Sequence, residues 1–163
     1  MSRTDLVTRS QQSLGWLASQ VSIANAAGFS DISIVSEFLI QNLYNLLEDG
    51  AKYCNTNIDG PNADSINLAD SGRRIAVQVT SNTTSAKIHK TIAGFERNKR
   101  HEQYDELRFL FLSDHYHPAK KDYSVSDAEI EFEDLGQLHG RISRISDPDQ
   151  LQREFAASVR DAR

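Results

Sequence analysis

Ile66-Asn67-Leu68-Ala69-Asp70-Ser71-Gly72-Arg73-Arg74-Ile75-Ala76-Val77-Gln78-Val79-Thr80-Ser81 is the stretch whose reading decides the fold, and Lys87-Ile88-His89-Lys90-Thr91 up to Phe95 completes it. Two short runs that alternate apolar and polar residues meet at Ser71-Gly72, which predicts a β-hairpin, and a basic helix follows almost at once. With a two-residue turn, Asp70 faces Arg73 and Asn67 lies opposite Ala76. Alternation then puts Ile66, Leu68, Ile75, Val77 and Val79 on one face, and Asn67, Ala76, Gln78 and Thr80 on the other. Asp70 either points with the apolar set or sits at the turn, where alternation fails.

Outward from the hairpin, the helix that starts among Ser81–Ser85 carries Ile88, Ile92 and Phe95 on one line and reaches about Lys99. Leu107-Arg108-Phe109-Leu110-Phe111-Leu112 reads as a buried strand, reached by a right-handed crossover that leaves it parallel to residues 75–80. A further strand is expected at Glu129–Glu133 and a helix at Leu135–Ile145. Asp147-Pro148 supplies a cap followed by proline in a first turn, opening a last helix through Leu151, Phe155 and Val159. Upstream, Leu6, Leu14, Leu17 and Val21 predict an amphipathic helix over about 4–25 that ends near Gly28. Asp31 or Ser33 caps a second helix running to Asp49-Gly50, apolar around most of its circumference and therefore buried on several sides. Residues 50–64 read as a loop or short edge strand.

This order of elements gives an α/β fold, a mixed central sheet flanked by helices. At 163 residues the chain has room for one ordinary domain: an N-terminal helix at about 4–25, a core at about 31–133 and C-terminal helices at about 134–162. No apolar run is long enough to span a bilayer, and the polar N-terminus lacks the order of a signal peptide, so a cytoplasmic protein with no membrane partner is expected. Cys54 is the only cysteine, which excludes an internal disulfide and a cysteine zinc cage; it is expected to be a small, semi-buried residue. The net charge of −5 argues against attraction of nucleic acid by the whole surface and leaves that task to a local patch.

Several residues could carry chemistry. Glu37 is a carboxylate in a mostly apolar helix, one turn from Gln41 and roughly two from Tyr44, and a buried carboxylate is costly unless paired or bound to a metal; a helix-margin Glu reaching water or an Arg is the alternative. Asn67, Gln78 and Thr80 share a strand face and offer neutral oxygen ligands, weaker for a hard cation than carboxylates, or else a polar face bonded to its neighbours. Lys87 sits beside the apolar line of its helix, from where its amine reaches over the sheet. Lys90, Arg97, Lys99 and Arg100, with His101, form a basic cluster that suits a phosphate backbone, or a solvated helix end whose charges suit the helix dipole. His115 and His117 flank Tyr116 without an evident third ligand, and a plain loop is the better reading.

The segment from Asp31 to Ser113 resembles the bacterial SMEK domain, a family related to the restriction-endonuclease-like PD-(D/E)XK fold. The likeness rests on Ser36-Glu37-Phe38 through Leu47, on the strands INLAD (66–70) and IAVQVTS (75–81), and on KIHKTIAGF (87–95) followed by Tyr104-Asp105-Glu106-Leu107. It implies that Glu37 is the acid of the first core helix. Asn67 stands where an Asp is usual, Asp70 is the motif's second acid, Gln78-Val79-Thr80 replaces an acid-x-Lys tripeptide, and Lys87 is a migrated lysine. The implied function is Mg²⁺-dependent DNA hydrolysis, with Glu37, Asp70 and Gln78 as metal ligands, or degenerate nucleic-acid binding in a protein of bacterial defence. Implied partners are nucleic acid, DNA ahead of RNA, and an attached protein domain. A catalytically inactive protein-interaction or oligomerisation module is the competing reading, with the apolar helix around Trp16 as a surface for packing on a partner and a homodimer as one form of it.

Overall fold

The computed structural model describes residues 2–27, 31–56, 66–113, 116 and 118–144. The order is α1 (Arg3–Ala26), α2 (Asp31–Leu47), β1 (Cys54–Asn55), β2 (Leu68–Asp70), β3 (Ile75–Thr80), α3 (Ser85–Arg97), β4 (Glu106–Phe111), β5 (Glu129–Asp134) and α4 (Leu135–Ser143). The strands form one sheet in sequence order. β1, β2 and β3 pair antiparallel, whereas β3, β4 and β5 are parallel, so the sheet is mixed as expected. The last helix expected after Asp147 and the histidines His115 and His117 lie outside the described residues.

Both faces of the sheet are covered, which explains why every residue of β3 is buried. On one face Leu14, Leu17 and Val21 of α1, Ile40, Leu43 and Tyr44 of α2, and Leu135, Leu138 and Ile142 of α4 pack with Leu68, Val77, Val79 and Leu110. On the other, Ile88, Ile92 and Phe95 of α3 pack with Ala69, Ala76, Leu107, Phe109 and Ile130. Thr84 caps α3, its side chain accepting from the Lys87 amide. Asp134 and Gln137 form a reciprocal capping box that turns β5 directly into α4.

The hairpin differs from its expected form. Asp70 pairs with Ile75 and Leu68 with Val77, so the turn spans Ser71–Arg74 and the register is displaced. Arg74 takes a left-handed φ of 57°, held by Arg74 Nε donating to Asp105 Oδ2 and its guanidinium to the Glu102 carbonyl. Ile66 also leaves its expected face, packing with α3 while Leu68 faces α1 and α2; the chain bends at Asn67, before β2 begins, and alternation holds only within continuous strand. Cys54 proves exposed, not semi-buried, on the two-residue edge strand.

Candidate functional site

Because β2 starts only at Leu68, β3 runs past it, and Asn67 fills the notch. Its amide donates to the Val77 carbonyl at 2.8 Å. Its side-chain Oδ1 accepts from the Val79 amide at 2.8 Å, supplying the acceptor that a continuing strand would have provided. The same oxygen accepts from Gln78 Nε2 at 2.7 Å. Asn67 Nδ2 donates to Glu37 Oε1 at 2.8 Å, and Asn55 Nδ2 to Glu37 Oε2 at 3.0 Å. The orientation of Asn67 is fixed by its neighbours, since a backbone N–H can only donate and a carboxylate only accept.

Glu37 is only 7% exposed. It is nevertheless satisfied, because both carboxylate oxygens receive amide donors, and burial of a charge so bonded costs far less than burial alone. Gln78 Nε2 also donates to the Val79 carbonyl at 3.0 Å. Glu37, Asn67 and Gln78, which sequence reasoning had singled out, are thus brought together, and Asn55 joins them.

Asp70 is drawn into the turn instead. It is 2% exposed, with Oδ2 accepting from the Lys52 amide at 2.7 Å and Oδ1 from the Arg73 amide at 3.1 Å. No described contact links it to Glu37, Asn67 or Gln78. Thr80 Oγ1 accepts from the Asn82 amide at 3.1 Å and shapes the loop into α3. The polar strip expected from Glu37 to Tyr44 also divides, because the Tyr44 hydroxyl donates to Glu133 Oε2 at 2.6 Å.

Lys87 is half-buried on α3, and burial, followed by the charge of Lys90, lowers its amine below the ordinary lysine range. No described hydrogen bond or ion pair joins it to the Glu37 cluster. Lys90, Arg97 and Lys99 are exposed and Arg100 is half-buried. Lys87, Lys90 and Arg97 recur at helical spacing along one flank of α3. Glu96, the acid of that helix, is engaged with the Ser126 amide and hydroxyl, so it does not neutralise the row.

A second polar cluster escaped sequence reasoning. Glu48 Oε1 accepts from Arg108 at 2.5 Å and Arg141 at 2.7 Å; its Oε2 accepts from Arg73 at 2.5 Å and the Tyr53 hydroxyl at 2.8 Å. Arg141 also reaches Glu133, Arg108 reaches Glu106, and both guanidiniums lie over the buried Tyr44 ring, at 5.2 and 5.4 Å. Burial alone would raise the Glu48 pKa, but the Arg108 charge and the hydrogen bonds from Arg141, Tyr53 and Arg108 hold it at about 2. Burial raises the hydroxyl pKa of Tyr44 and Tyr53. The signal in the sequence was Arg108 inside an apolar run and glutamates alternating along 129–133. A cleft of about 800 Å³ opens beside this cluster, away from Glu37, between β5 and α4. Arg73, Arg108 and Arg141 are matched by Glu48, Glu106 and Glu133, so the cluster is closed on itself and ties α2, β4 and α4 together.

The donor set around Glu37 does not suit Mg²⁺. Asn55, Asn67 and Gln78 are neutral, two of them aim N–H groups at the carboxylate, and the second acid, Asp70, is held by backbone amides. Among the described residues no group of three His, Cys, Asp or Glu could hold a metal ion. Nor is any described helix long and apolar enough to cross a membrane.

A family model described as the SMEK domain matches residues 9–140. No curated protein and no solved structure matches the chain.

Proposed function

The chain belongs to the SMEK domain family, and from that premise we propose that it is a DNA-binding domain of PD-(D/E)XK nuclease descent, acting in bacterial defence, whose former hydrolytic site is held together without a metal and no longer cleaves. The observation that carries this reading is the Asn67 carboxamide, which donates to Glu37 where a nuclease would set a second carboxylate across a shared cation. An Asp at 67 could still accept from the Val79 amide but would repel Glu37, and a cation would be needed between them. An Asn removes that need. The residual task is binding, and the cations along α3 support it. Lys87, Lys90, Arg97, Lys99 and Arg100 lie within one helix and its following turn, with Glu96 turned aside. A local field of this kind attracts a phosphate backbone even on a chain of net charge −5.

The test is fluorescence anisotropy with labelled duplex and single-stranded DNA, run with Mg²⁺ and with a chelator. Binding that weakens steeply with salt, is indifferent to the chelator and leaves the DNA intact is the expected result. Metal-dependent cleavage abolished by Glu37→Ala would overturn the loss of chemistry, and no binding at low salt would overturn the DNA reading.

A further inference from the structure

We infer that the DNA this domain holds is single-stranded, its bases stacking on the rings of His89 and Tyr123 while its phosphates follow the cations of α3. The inference rests on the DNA-binding reading above and narrows it. Tyr123 follows a single 3₁₀ turn at Lys120–Asp122 and lays its ring against two others. Its centroid is 5.0 Å from that of His89, tilted by 44°, and 5.6 Å from that of Phe132, edge to face. The Tyr123 hydroxyl donates to Ser85 Oγ at 3.2 Å, so the ring is held from three sides. Behind it the rings continue, Phe132 lying 5.4 Å from the buried Phe109. This aromatic ladder runs from the core of the sheet to the surface, and His89 is its exposed end.

Core packing does not account for the His89 ring, because Ile88, Ile92 and Phe95 already cover the sheet and Tyr123 is already seated on Phe132. Its place on the helix does. His89 directly precedes Lys90 and lies eight residues before Arg97, about 12 Å of helix. Lys90 and Arg97 stand exposed, and Glu96 between them is engaged with Ser126. Ala86 and Ala93, exposed on the same side of α3, leave the ring and the cations standing clear. Charge alone attracts a duplex and a single strand alike. The rings separate the two, because a duplex covers each base face with its neighbours, whereas a single strand offers its bases for stacking on aromatic side chains. A ring already fixed by the fold loses little freedom on binding, which favours that contact.

Anisotropy titrations of the full chain with labelled oligothymidine and with a mixed-sequence duplex of equal length, at one moderate salt concentration, test this. The single strand is expected to bind more than about tenfold tighter than the duplex. His89→Ala should weaken single-strand binding by about fivefold to a hundredfold at an unchanged salt slope, while duplex binding and helicity by circular dichroism stay as they were. His89→Tyr, which restores a ring without adding charge, should recover the affinity. Ultraviolet cross-linking to an oligonucleotide carrying iodouracil should label the peptide that holds His89 or the one that holds Tyr123. Equal affinity for strand and duplex overturns the inference and leaves DNA binding standing. So does single-strand affinity untouched by His89→Ala, or a loss that His89→Tyr does not restore. No binding of either nucleic acid at low salt removes the DNA-binding reading itself, and this inference with it.

Discussion

Asn67 Nδ2 donates to Glu37 Oε1 across 2.8 Å, joining the notch of the sheet to α2. Because the same carboxamide accepts from the Val79 amide, one side chain both completes the strand ladder and neutralises the demand of a buried acid. Asn67→Asp should therefore destabilise the protein by about 1–3 kcal/mol, through the lost donor and the new carboxylate pair. Thermal unfolding with and without Mg²⁺ or Mn²⁺ checks it: the variant's midpoint should rise with the cation and that of the parent should not.

Asp70 is expected to behave as a structural acid. Asp70→Ala removes the buried acceptor of the Lys52 and Arg73 amides and loosens the turn, a loss of about 1–3 kcal/mol in all. Denaturant unfolding should show that loss while DNA affinity, measured under conditions where the variant is folded, stays unchanged. A large fall in affinity at unchanged stability would place Asp70 in the binding site instead.

Lys90→Ala with Arg97→Ala should weaken DNA binding evenly across sequences. If each cation neutralises one phosphate, the slope of log K against log salt becomes shallower by about 2. An unchanged slope would remove both residues from the contact surface. Their exposure predicts little change in stability.

Glu48 makes the fold acid-sensitive at one identifiable point. Its folded pKa of about 2 lies below the ordinary glutamate value of 4.5, so its stabilisation is fully present above about pH 4.5 and is lost as pH falls through about 2. With a side chain 8% exposed, a shift of this size corresponds to about 3 kcal/mol. Glu48→Gln should remove most of that pH dependence and cost about 3–5 kcal/mol at neutral pH, because Arg73, Arg108 and Arg141 lose a shared partner. Chemical unfolding of both proteins at neutral and acid pH measures the two effects; an undiminished slope in the variant would show that other carboxylates control the acid limb.

The amino-acid sequence by itself determined the elements and the α/β class. The two-residue period of 75–80, the helical period of Ile88, Ile92 and Phe95, and the unbroken apolar run into β4 each record which side of a segment meets the core, and that is a local property. It also marked Glu37, Asn67 and Gln78 as polar groups in apolar company. What only the tertiary structure decided was which polar groups meet. Asp70 turned to the Lys52 amide, Tyr44 went to Glu133, and Arg108 found Glu48 sixty positions away. The register slipped because four residues, not two, make the turn, with Arg74 left-handed and anchored to Asp105. Periodicity specifies a face but not a partner. Partners follow from strand register and helix placement, which depend on the whole core packing at once.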